Sequence, residues 1–155
     1  MTTMTDFTPD EWDLVVQTPR WVVAAASAAQ RDLPYRTEHE IEAGYVETAR
    51  AAHSGNAFVV AVAVETMKIF DARTVVSATY FDDRAAGLDA VLDKVAAVVQ
   101  LLAGKADPAD AHAYRRWLVK ITDVVIAAAR TGVFGPLVTD AEQAFRERLV
   151  LTLQR

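Results

Sequence analysis

The chain contains no cysteine. That absence removes disulfides, thiolate metal sites and a cysteine nucleophile, and it agrees with a reducing compartment, here the cytoplasm. Bases are also scarce: 16 Lys and Arg stand against 21 Asp and Glu, for a net charge of −5. Nucleic-acid affinity rests on neutralising phosphates with Lys and Arg, so no nucleic-acid partner is expected. No apolar run approaches the roughly 20 residues of a membrane span, so no membrane association is expected either. Residues 21–29 imitate the apolar part of a signal peptide. Residues 1–13 carry Asp6, Asp10, Glu11 and Asp13, with no Lys or Arg where a signal needs a basic leader. Catalytic signatures are missing too: neither Gly-x-Ser-x-Gly nor His-Glu-x-x-His occurs. The chain reads as a non-enzyme, with no catalytic residue and no cofactor assigned.

What is present is helical periodicity in a chain that is 52% hydrophobic. Apolar residues recur every three or four positions, which predicts an all-α fold: a single compact bundle of about six to seven helices. The domain is expected over residues 8–155, behind an N-terminal tail of residues 1–7. Thr8, Pro9 and Glu11 supply a cap, a first-position proline and a capping box for a first helix. Its stripe runs Trp12, Val15, Val16, Pro19, Val22, Val23 and Ala26, and Pro19 predicts a kink or short break near Gln17–Thr18. Thr37 and Glu40 read as the capping box of a second helix through Ile41, Tyr45 and Ala49, in which Gly44 marks a close neighbour. Asn56 caps a central helix to about Phe70. Residues 73–81 read as helix or irregular chain. Asp82 or Asp83 then caps a helix on Leu88, Val91, Leu92, Val95, Val98, Val99 and Leu102. Asp107 and Pro108 open its antiparallel partner on Tyr114, Trp117, Leu118, Ile121, Val124, Val125 and Ala128, and a last helix runs from Asp140 to Leu153.

Residues 22–40 and 124–142 echo each other at a constant offset of 102, pairing Val22/Val124, Val23/Val125, Ala25/Ala127, Ala26/Ala128, Pro34/Pro136, Thr37/Thr139 and Glu40/Glu142. Extended backwards, Trp12 falls on Tyr114, Val15 on Trp117 and Val16 on Leu118. Each copy is the end of an apolar helix, a short turn and a capped helix start. The fold is therefore expected to contain two related helix-turn-helix corners, with Gly132 and Gly135 serving as turn residues.

An Ala-rich helix, a short turn and a capped helix with an early Glu, given twice, resembles the tellurite-resistance TerB-like all-helical domains. The resemblance implies a stress-associated interaction module, and in many such domains an acidic Asp-Gly turn ahead of the Glu implies a divalent cation. Here Thr131-Gly132 keeps the glycine without the acid, and the first corner reads Ala29-Gln30 in the same register. Only the first corner keeps acids enough for a cation.

The candidate metal ligands are Asp32, Glu38, His39, Glu40 and Glu42. His39 and Glu42 are three apart and can share a helix face. The competing interpretation is a solvated helix start whose acids favour the dipole. Trp12 and Trp117 lie on core stripes; Trp21 lies off its stripe and is the candidate for an exposed partner surface. The expected function is a non-enzymatic interaction module that binds a protein partner or self-associates. The alternatives are a divalent-cation-binding version of that domain, and a small-ligand or enzyme pocket between helices.

Overall fold

The computed structural model describes residues 1–29, 34–71, 78–128 and 138–155, with backbone alone for 34–37, 71, 78 and 79. Among these residues the fold is all-α: α1 (Pro9–Ala28), α2 (Pro34–Ala51), α3 (Ala57–Asp71), α4 (Arg84–Lys105), α5 (Pro108–Ala127) and α6 (Asp140–Leu153), with no strand. Short 3₁₀ turns cover Met4–Asp6 and Ala78–Phe81. No described helix is long and apolar enough to cross a membrane.

Most helix starts follow local cap chemistry. Thr8 and Glu11 close a reciprocal box at α1, with Glu11 N–H donating to Thr8 Oγ1 at 3.3 Å and Thr8 N–H to Glu11 Oε2 at 2.8 Å. Asn56 Oδ1 accepts from Val59 N–H at 3.0 Å, Asp83 from Ala86 at 3.1 Å and Asp107 from Ala109 at 3.0 Å. Thr139 and Glu142 repeat the box at α6. The exception is α2. It begins at Pro34, so Thr37 stands inside its first turn instead of capping it. Proline suits that first position because its φ is already helical and its missing donor has no helical acceptor to serve. Of the two corners, residues 30–33 and 129–137, with Gly132 and Gly135, lie outside the described residues, as do residues 72–77.

Helix α1 packs on each of the other five helices. It is continuous from Pro9 to Ala28, so of the kink or short break expected near Gln17–Thr18 there is no break. Pro19 has no N–H for the carbonyl of Val15, four residues earlier. Tyr114 on α5 supplies the replacement, its hydroxyl donating to Val15 O at 2.8 Å. Thr66 on α3 donates to Val16 O at 2.9 Å, and Thr18 to Leu14 O at 2.7 Å. The proline turn of α1 is therefore held by hydroxyls from two neighbouring helices and from itself. Burial pushes the Tyr114 phenol far above its ordinary range, so it remains a donor at any working pH.

The echoed residues converge on shared neighbours. Trp12 and Tyr114 both pack on Phe58, at ring-centroid distances of 6.3 and 6.1 Å. Val23 and Val125 both meet Gly44. The helix packing is not equivalent, however: α2 packs closely on α5, whereas α1 meets α6 only marginally.

A Cβ placed on Gly44 would lie 2.6 Å from both methyls of Val23 and 3.2 Å from Val125 Cγ2. Valine is stiff at χ1 and cannot swing aside cheaply. Gly44→Ala gains up to about 1 kcal/mol of helix propensity but overpacks the crossing by about 1–3 kcal/mol. Net destabilisation is expected. In a Val23→Ala background the same substitution should become neutral or stabilising, a reversal readable from denaturant midpoints at constant slope.

Candidate functional site

The residues proposed as metal ligands do not converge. Glu38, His39 and Glu42 are exposed, and His39 Nδ1 lies 3.9 Å from Glu42 Oε2. Glu40 faces the opposite way and is only 2% exposed, within the interior. Asp32 lies outside the described residues. Among those described, no group of three or more His, Asp or Glu is placed to hold a metal ion. Glu142, the echo of Glu40, is equally buried at 2%.

The α2 stripe also differs from expectation. Its buried positions are Glu40, Gly44, Glu47, Thr48 and Ala51, whereas Ile41 is exposed and Tyr45 and Ala49 only half-buried. Gly44 sets this rotation, since only its face can approach α1 and α5 so closely, and the neighbouring polar residues turn inward with it. Thr48 is satisfied by donating to Gly44 O at 2.9 Å. Beside this face, His39, Glu42, Val46 and Arg50 of α2, Val124 of α5 and Ala128 just past its end border a shallow cleft of about 370 Å³.

Trp21 is half-buried. Its ring packs on Tyr80 at 4.6 Å and lies under the Lys94 ammonium at 5.1 Å, a cation–π arrangement. Gly87 lets the 3₁₀ turn sit there: an added Cβ would come within 2.6 Å of Phe81 Cδ1 and 2.9 Å of Tyr80 O.

A larger concavity than the cleft beside α2 lies where the N-terminal segment, α1 and α3 meet. It is an open groove of about 580 Å³. Phe7, Trp12, Val16 and Ile69 supply its apolar lining, while Asp13, Gln17 and Glu65 are polar. Met4, on the N-terminal wall, is 55% exposed, and Val64, beside Glu65 on α3, is 41% exposed. None of the described lining residues is basic. Sequence periodicity did not single out this group. The signal it offered was residues 57–64, apolar on every side of a helix, which cannot all be buried unless every face has a neighbour.

The groove depends on residues 1–7 being held in place. Asp110 is buried and accepts from Thr2 N–H and from Asn56 Nδ2, both at 2.8 Å. Asp107 N–H donates to Thr2 Oγ1, also at 2.8 Å. One carboxylate thus joins the N-terminal segment to the starts of α3 and α5, which puts Met4 and Phe7 at the wall. Burial opposes ionisation of Asp110, but the hydrogen bonds from Thr2 and Asn56 and the nearby terminal ammonium outweigh it and hold its carboxyl below the usual range. A lowered folded pKa means that the stabilisation is complete above the unfolded aspartate value of about 3.9. It is lost as pH falls through the folded value. Melting temperatures followed into acid should drop more steeply for the native chain than for Asp110→Asn, and equal slopes would exclude this role.

No protein-family model, curated protein or solved structure matches the chain.

Proposed function

We propose that the chain is a non-enzymatic helical interaction module that docks a protein partner in the groove between the N-terminal segment, α1 and α3. The observation that carries this reading is the groove itself: an aromatic and aliphatic floor, open to solvent, with the exposed Met4 at its wall and the exposed Val64 beside Glu65. A small-molecule site of this volume would enclose most of its ligand's surface. An open cleft is better matched to side chains presented by another polypeptide. Exposed apolar surface of this kind marks interaction sites on otherwise polar proteins. The TerB-like resemblance supports the same proposal, and a stress-associated process is the setting it implies.

Photo-crosslinking tests the proposal. A crosslinker at groove residues Thr5 or Gln17 should trap a partner in cells, and Ile69→Ser should abolish the adduct without changing the melting temperature by more than a few degrees. The same adduct from His112, exposed on α5, would defeat the reading, as would insensitivity to Ile69→Ser.

A further inference from the structure

The charge around the groove narrows the class of partner. Asp13 projects from α1 and Glu65 from α3, so a carboxylate stands on each of two walls of an apolar floor. Asp13 is exposed, accepts a long 3.4 Å hydrogen bond from Gln17 Nε2, and has no ion pair among the described residues. Glu65 is paired with Lys68 at 2.7 Å, but Lys68 is 65% exposed. Surface pairs of this kind contribute about 1 kcal/mol or less, so an incoming cation can replace Lys68 at little cost. Among the described residues no Lys, Arg or His lines the groove itself; Arg20, buried two turns further along α1 and donating to Gln17 Oε1 at 3.0 Å, feels the charge of Asp13 without forming an ion pair with it.

Resting on the interaction-module reading, we infer that the groove between α1 and α3 takes a basic amphipathic helix, with apolar side chains on Trp12 and Ile69 and Lys or Arg side chains against Asp13 and Glu65. A helix laid in a groove presents apolar anchors every three or four residues, with flanking positions free for charge. Opposite charge on the rim adds orientation and speeds encounter more than it adds raw affinity. The same acids work against an anionic membrane surface, which would meet two carboxylates and no base among the described lining residues.

Two designed amphipathic helices test this on the full chain, one with leucine on one face and lysine on the other, its twin with glutamate in place of lysine. Binding is read by fluorescence anisotropy and mapped by amide chemical-shift changes. The lysine helix should bind, weaken with added salt, and perturb Trp12, Gln17, Glu65 and Ile69. Asp13→Lys combined with Glu65→Lys should weaken it about tenfold, equivalent to about 1.4 kcal/mol, and allow the glutamate helix to bind. Both positions are at the surface, and an unchanged melting curve confirms that the double variant is folded. Equal binding of both helices in the groove, without salt dependence, would overturn the basic partner while leaving the groove an apolar docking site. Binding that maps elsewhere, or no binding of the lysine helix, overturns this proposal; crosslinking from Thr5 and Gln17 then decides separately whether the groove docks a partner. Dimerisation of the chain through these residues would put a second copy in the partner's place and would also overturn it.

Discussion

Phe58→Ala is expected to cost about 3–5 kcal/mol, the range for emptying a buried aromatic site. Phe58 is fully buried and its ring stands between Phe7 at 6.1 Å, Trp12 at 6.3 Å and Tyr114 at 6.1 Å. These three come from the N-terminal segment, α1 and α5, so one side chain on α3 fills the space where four parts of the chain meet. None of the three can move in to fill the void alone. Trp12 is tied to the backbone of α1, and Tyr114 is held by its hydrogen bond to Val15. The site should therefore collapse poorly, which is the condition for the upper part of that range. Urea unfolding with an unchanged slope measures the loss directly. A cost below about 1 kcal/mol would mean that the aromatic cluster repacks, since that is the range of volume-conserving core changes. Because Phe7 and Trp12 also line the groove, a partner's affinity should fall with stability in this variant.

Tyr114→Phe is expected to cost about 1–3 kcal/mol, the penalty for leaving a buried polar group without a partner. The substitution keeps the ring and removes only the hydroxyl. In an ordinary helix the carbonyl of Val15 would keep its donor from residue 19, and the loss would be small. Here residue 19 is proline, so the carbonyl depends on α5. That dependence makes the effect conditional. In a Pro19→Ala background the helical donor returns, and Tyr114→Phe should become markedly cheaper. The two substitutions belong in a double-mutant cycle, where direct coupling of this kind appears as an interaction energy of about 0.5–3 kcal/mol. Additive losses would show that the hydroxyl and the proline act independently, contrary to the hydrogen-bonding account.

Local chemistry was readable from the sequence, and partners distant along the chain were not. Thr8, Asn56, Asp83, Asp107 and Thr139 were identifiable as caps because a cap bonds residues two or three positions away. The stripes of α4 and α5 were legible because Val, Leu and Ile recur on one face; that face is buried except at Leu88, Val124 and Ala128, which are half-buried. On α2 the same reasoning chose the wrong side. The residue that sets its orientation is Gly44, which contributes no hydrophobicity and acts by having no side chain. The role of Asp110 was not readable, since nothing local announces Thr2 and Asn56 as its partners. The groove was hidden for a related reason: its walls come from segments about fifty residues apart, residues 4–17 and 65–69. Thr37 was misplaced as a cap because Pro34, three residues earlier, is an equally good first helical residue.

The hydroxyl that Tyr114 lends to Val15 has a consequence for how the molecule assembles. A peptide containing α1 alone would lose a backbone donor at Pro19 and crowd the preceding turn, so its helix would falter midway. The missing donor comes from 99 positions further along the chain. Bringing that residue into place requires closing a long loop, a slow and entropically costly step. Completion of α1 and docking of α5 are thus one event in time. In hydrogen exchange, the amides following Pro19 should open together with those of α5 and not by fraying from the near end of their own helix.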